Sequence, residues 1–312
     1  MLAAAAGPGI PIEESTAPIS GTVSVRTDRR AIIRLPEQLG NSRRFAYVVS
    51  SKKETVADLN EAGARFFRNQ KPAEAVKCFR RSLQLDPKQP KVAKLLGLSE
   101  QLGEDHEKAK KAFTLACELD PNDPEPRYYL GRVYYLENFF AQAIEELQKA
   151  IQIDSRDYRP HYYLALTFEA EGRIEAAEDG YRQAIQLNLK RAQPDFSPDY
   201  NYGVLLARIG RLEESEKYLR RSNELDPAAW APPFELGKLY LRKDNLSGAE
   251  RELISAAKAP TAGPKERSRI YHLLARVYFA LGREADAQRA LAAREEQDDP
   301  VKVPSPPSRL GY

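Results

Sequence analysis

The side chains able to do covalent chemistry are few and scattered. His106, His161 and His272 stand 55 and 111 residues apart, which is no spacing for a paired metal motif or a histidine base beside a nucleophile. Cys78 and Cys117, 39 apart and without a CxxC, lack the material for a disulfide framework or a zinc site, so both read as small buried apolar residues. The chain contains no GxxxxGK[ST], HExxH, GxSxG or glycine-rich dinucleotide turn, so phosphate-cradling and acyl-transfer chemistry have no template. Its carboxylates fall in runs such as EELQK and REEQDD, where a solvated helix face is the default. The expectation is a protein that is not an enzyme, with no catalytic residue, cofactor or metal. What remains is recognition. The 16 tyrosines and 11 phenylalanines are interleaved with lysine and arginine, and rings among cations suit an extended peptide that carries acidic residues or a free C-terminal carboxylate.

Bulk properties narrow the partner. Across 312 residues, 48 basic and 45 acidic side chains leave a net charge of +3. That balance predicts neither nucleic acid nor an anionic membrane as ligand. With 42% apolar and 30% charged residues the composition is that of a folded soluble protein. No run of 18 apolar residues occurs, so no transmembrane segment is expected. The opening MLAAAAGPGIP has no charged start and too short an apolar stretch for a secretory signal. The expected location is the cytoplasm, with a periplasmic or envelope-associated place as the alternative if a signal lies upstream.

The rings and cations must be positioned by a repeating element. Small residues recur at Gly63, Gly97, Gly131, Ala165, Gly203, Gly237 and Ala275, spaced 34, 34, 34, 38, 34 and 38. Twelve positions after each comes Ala75, Ala109, Ala143, Ala177, Ser215, Ala249 and Ala287. A bulky residue follows four later, at Phe79, Phe113, Leu147, Tyr181, Leu219, Leu253 and Leu291. Another row falls three after the first ladder at Phe66, Tyr134, Phe168, Leu206, Tyr240 and Tyr278, broken by Glu100. Apolar residues within each unit recur at three and four spacing, the period of amphipathic helices. Short turns such as EGR at 171 to 173 and LGR at 281 to 283 divide each unit into two helices, and LDP closes units at Pro87, Pro121 and Pro227. Glycine inside a helix costs about 1 kcal/mol against alanine, so a ladder of five implies helices that approach too closely for a side chain.

These ladders resemble the tetratricopeptide repeat family, whose pattern sets a small residue, an aromatic, an alanine and a closing proline in a 34-residue frame. The resemblance implies an all-α, right-handed α-solenoid superhelix of about seven helix-turn-helix repeats, near 56–89, 90–123, 124–157, 158–193, 196–229, 230–263 and 268–295. Within a solenoid reaching from 51 to 295, Ser51 and Glu54 would form the first capping box. Residues 1–50 are expected as a flexible arm with strand-like alternation in TVSVRTDRRAIIRLP, and 296–312 as a disordered proline-rich tail. Insertions around LNLKRAQPDF and KAPTAGPKE are expected to lengthen two inter-repeat loops.

The resemblance also implies that the first helix of each pair lines a concave groove. One row there reads Asn60, Lys94, Tyr128, Tyr162, Tyr200, Phe234 and His272. With Tyr135 beside it and Lys91, Arg132, Arg159, Lys238, Arg269 and Arg276 around it, the expected site is a basic, aromatic peptide groove. Tyr134 and Phe139 belong to the other face. The chaperone-binding carboxylate clamp of the family is absent, since its positions hold Asn60, Ala64, Leu95, Glu125 and Tyr129, and the asparagine ladder of the sugar-transferring relatives is reduced to Asn201. The expected function is a protein-binding scaffold or adaptor. The alternatives are an accessory subunit of a bacterial envelope, pilus or secretion assembly, or a scaffold that self-associates.

Overall fold

The structure is a computed structural model that describes residues 54–298. The expected N-terminal arm, most of the proline-rich tail and Ser51 lie outside those residues. Fourteen helices follow one another in seven pairs. The first three pairs are α1 (Val56–Arg68) with α2 (Pro72–Leu85), α3 (Pro90–Leu102) with α4 (His106–Leu119), and α5 (Pro124–Leu136) with α6 (Phe140–Ile153). Next come α7 (Tyr158–Ala170) with α8 (Ile174–Asn188) and α9 (Ser197–Arg208) with α10 (Leu212–Leu225). The stack closes with α11 (Ala231–Arg242) and α12 (Leu246–Lys258), then α13 (Pro264–Ala280) and α14 (Glu284–Asp298). No strand occurs among the described residues. Each helix packs on its neighbours in sequence, and odd-numbered helices also touch the next odd one, α1 with α3, α5 with α7 and α9 with α11. The odd helices therefore lie on the inner side of the stack.

The ladders have a direct packing cause. A Cβ added at Gly131 would stand 2.7 Å from Leu147 Cγ, and one at Gly63 would stand 2.6 Å from a ring carbon of Phe79. The glycine lets the bulky residue of its partner helix lie across its backbone. In the fourth pair the roles exchange: Ala165 occupies the first ladder, and Gly180 on α8 supplies the space, where a Cβ would meet Ala165 Cβ at 2.9 Å. Every member of the alanine ladder is fully buried, and Ser215, the exception in type, donates to the Gly203 carbonyl at 2.7 Å. Glu100, the break in the aromatic row, is also buried and accepts from Arg80 Nη2 at 2.5 Å. A charge-assisted hydrogen bond there replaces an apolar contact.

The connections follow from local hydrogen bonding. Asp86, Asp120, Asp154 and Asp226 each accept from the backbone N–H two residues on, at 3.0 to 3.2 Å, which is why aspartate recurs at these turns. Two expectations are corrected. The first helix is capped by Thr55, whose side chain accepts from Asp58 N while Asp58 accepts from Thr55 N, so the capping box is Thr55 with Asp58 rather than Ser51 with Glu54. The insertion near KAPTAGPKE lengthens a helix instead of a loop: α13 has 17 residues against 12 or 13 in the other odd helices, because Pro264 seeds its first turn. The other insertion does form a longer loop. Asn188 staples it, donating to the Asp195 carbonyl at 2.6 Å and accepting from Asp195 N at 2.9 Å.

Candidate functional site on the odd-numbered helices

Tyr128, Tyr162, Tyr200 and Phe234 sit on α5, α7, α9 and α11 at one register, but they are unequally available. Tyr128 and Phe234 are buried, at 5% and 4% exposure, while Tyr162 and Tyr200 are half-buried. Tyr128 is covered by Tyr129, by Tyr163 and by the Arg159 guanidinium 4.9 Å from its ring centre. Arg269 and Lys238 lie over Phe234 at 5.3 and 5.7 Å. Burial raises the Tyr128, Tyr162 and Tyr200 hydroxyls above the ordinary tyrosine range. Tyr162 accepts a hydrogen bond from Asn201 at 2.7 Å.

The ring that ties the middle of this face together is one the groove row does not contain. Tyr163 lies 5.7 Å from Tyr128, 5.8 Å from Tyr135 and 5.3 Å from Tyr162, centre to centre, and Arg132 approaches it at 5.9 Å. Its row, two positions before the small-residue ladder, reads Glu61, Leu95, Tyr129, Tyr163, Asn201, Glu235 and Leu273. Two adjacent tyrosines there were the available signal.

The cations divide into two groups. In the second to fourth pairs Lys94 and Arg159 are matched by carboxylates of the same face, whereas Arg132 has no carboxylate partner among the described residues and its Nε is buried without a hydrogen bond. Lys94 donates to Asp123 at 2.7 Å and to Glu125 at 2.8 Å. Arg159 is paired with Asp157 at 2.7 Å and Glu125 at 3.2 Å. Burial would lower the Lys94 and Arg159 pKa values, yet the bonds to these carboxylates outweigh it and raise both. Glu125, which burial would raise, is held lower by Lys94 and Arg159. Lys91, on the same α3, is exposed.

The second group surrounds a depression of about 650 Å³ between α11, α13 and α14. Phe234, Leu241 and Leu273 line it together with Lys238, Arg242, Arg269, His272, Arg276 and Arg294, and no carboxylate does. Lys238 bonds Glu235 at 2.6 Å, and Arg242 donates to the Ala207 carbonyl. Arg269, His272 and Arg276 are exposed. The structure thus brings together Phe234, Lys238, Arg269, His272 and Arg276 of the expected groove, and adds Leu241, Arg242, Leu273 and Arg294. Leu241 and Arg242 fall three and four residues after Lys238 on α11 and were within reach of the helical period. Arg294 comes from an even-numbered helix and carried no such signal.

His161 is buried on α7 with Nε2 3.2 Å from the Ser155 carbonyl. Cys117 is buried, and that burial pushes its thiol up to about 11, whereas Cys78 is only half-buried. No group of three His, Cys, Asp or Glu able to hold a metal occurs among the described residues. No helix among them is long and apolar enough to cross a membrane.

Comparison with known proteins agrees with this architecture. A model described as TPR repeat matches residues 131–172, and two described as Tetratricopeptide repeat match 60–124 and 200–228. With its 34-residue frame and paired helices, the chain is a tetratricopeptide repeat protein, an α-solenoid of seven helix pairs. Among solved structures it is similar to a chain of the APC/C hetero-tetramer Cut9-Hcn1, at 18% identity and a TM-score of 0.61 over 73% of this chain. That match spans 44% of the other chain, less than half its length. PilW, a type IV pilus biogenesis factor, matches at 17% identity and a TM-score of 0.58 over 69% of this chain and 95% of its own. A tetratricopeptide repeat protein from Parabacteroides merdae matches at 14% and 0.58, over 80% and 95%. These likenesses concern the fold. No curated protein matches the chain.

Proposed function

We propose that the protein is a non-enzymatic interaction scaffold that holds an extended, acidic segment of a partner protein against its odd-numbered helices. The observation that carries this reading is the run of half-buried rings with adjoining cations, from Tyr135 through Tyr162 and Tyr200 to the depression beside Phe234, on the inner side of seven stacked pairs. A stack of this kind offers a long inner surface built from side chains of successive units, which suits an extended ligand more than a compact one. Rings supply area at little entropic cost, and neighbouring cations favour a partner of opposite charge.

Site-specific photo-cross-linking tests the reading without truncating any ring. A photoreactive amino acid is placed at the exposed positions Lys91, Lys238 and His272 on odd helices, or at Glu145, Lys217 and Arg251 on even helices. Cells producing each variant should yield the same cross-linked partner from the odd-helix positions and little from the others. Capture through the even helices alone would place recognition on the opposite side and end this proposal.

A further inference from the structure

We infer that charge recognition is concentrated at one end of the face. The depression between α11, α13 and α14 takes a short segment in which carboxylates flank an apolar side chain, and the α3 to α7 stretch, where Lys94 and Arg159 are already paired, adds contact area with less charge selectivity. This inference rests on the scaffold reading and narrows it.

Charge balance is the first argument. An acidic segment arriving at α3 to α7 meets Lys94 and Arg159 already bonded to Asp123, Glu125 and Asp157. It would have to displace carboxylates that hold those cations at least as well, while facing the same carboxylates as like charges. Exchange of one ion pair for another yields little net affinity. At the depression no carboxylate lines the surface. Arg276 and His272 have neither an ion pair nor a hydrogen bond among the described residues, and Arg269 is engaged through the Phe234 ring. A guanidinium stacked on a ring keeps its in-plane N–H groups directed outward, so stacking fixes Arg269 while leaving its donors available for a carboxylate.

Shape is the second argument. Leu241 and Leu273, both half-buried, give the depression an apolar surface among its basic side chains. A bare polyanion would leave that surface wet, and an apolar peptide would leave the cations unmatched. A segment with an apolar centre and acidic flanks satisfies both requirements.

The test uses the full chain and a fluorescein-labelled peptide, Asp-Glu-Asp-Leu-Phe-Glu-Asp-Glu, followed by anisotropy. Two further peptides carry the corresponding amides in place of the acids, or Ser-Ser in place of Leu-Phe. The wild type should bind the first peptide, lose it as salt rises, and bind both altered peptides weakly. Arg269→Glu with Arg276→Glu, both exposed positions, should weaken binding about tenfold or more with an unchanged circular dichroism spectrum. Lys91→Glu, on α3, should leave it within about twofold.

Equal loss from Lys91→Glu would mean that charge is read along the whole face and would overturn the inference. Equal binding of the Ser-Ser peptide, or competition by a single-stranded oligonucleotide as strong as by the peptide, would reduce the site to a general anion surface and also overturn it. So would absence of peptide binding together with a concentration-dependent mass that the double variant abolishes, since the occupant would then be a second copy. If a partner cross-links through the odd helices but the peptide fails to bind, the pocket fails and the scaffold stands. If the peptide binds but no partner is captured there, the scaffold reading fails alone.

Discussion

Glu216 on α10 shows how one side chain joins two repeats. It accepts from Tyr240 Oη on α11 at 2.6 Å, from Lys243 Nζ just beyond α11 at 2.8 Å, and from Arg220 Nη2 on its own helix at 3.0 Å. Burial alone would raise its pKa, but the hydrogen bonds from Lys243, Tyr240 and Arg220 outweigh that and hold it down to about 2. A carboxylate whose folded pKa lies below its unfolded one stabilises the fold fully above the unfolded value, here near 4.5, and loses that contribution as pH falls toward 2. The wild-type melting temperature should therefore drop across that window. Glu216→Gln should melt lower than wild type at pH 7, and the gap should narrow on acidification. A gap of constant size would show that the ionised carboxylate contributes nothing to the junction. Neither Glu216 nor its partners belong to the repeat ladders, apart from Tyr240 in the aromatic row, so its role was not legible in the repeat pattern.

At the scale of the element, the seven turns within pairs share one backbone device. Two residues after each odd helix the chain enters the left-handed region, at Gln70, Glu104, Asn138 and Asp244, and at Gly172, Gly210 and Gly282, with φ from 54° to 90°. A residue with a Cβ pays about 1 to 2 kcal/mol there, and asparagine and aspartate pay less than glutamine or glutamate. Glycine relieves that strain but adds freedom to the unfolded chain, about 0.5 to 1 kcal/mol. Glu104→Gly should therefore stabilise the fold by about 0.5 to 1 kcal/mol, and Gly172→Ala, with nothing within 4 Å of the added Cβ, should destabilise it by about 1 kcal/mol through the backbone alone. Urea unfolding of both variants checks the pair; a destabilised Glu104→Gly or a stabilised Gly172→Ala would remove the strain argument. The three glycine turns are readable as EGR, IGR and LGR, while the other four hide the same geometry behind ordinary side chains.

At the scale of the whole molecule, the interior is a chain of local cores. The largest cluster extends from Leu219 to Ala290 and links α10 through α14, whereas the cluster that joins the first pair to the second is small, centred on Ala75, Phe79, Val92, Leu96 and Ala112. In a stack where each unit touches only its neighbours, local stability follows local interface area. Amides of α1 and α2 should exchange with deuterium before those of α11 to α13, whose interior residues sit in the continuous cluster. Uniform protection across the seven pairs would mean that the array opens as a single unit.

The frame of 34 residues, the pairing of helices and the glycine and alanine ladders were all legible in the sequence. Contacts such as Gly131 with Leu147 lie 16 residues apart inside one unit and recur in most others, so neighbour packing is written as periodicity. Placement between units is not periodic, and only the tertiary structure decided it. It buried Tyr128 and Phe234 beneath Arg159 and Arg269, paired Lys94 with Asp123 and Glu125 some 30 positions away, and set Arg294 of α14 beside Arg276 of α13. Whether a cation on this face meets a carboxylate of its own chain or remains available to a partner depends on where long, flexible side chains from successive units converge. No residue row expresses that distance.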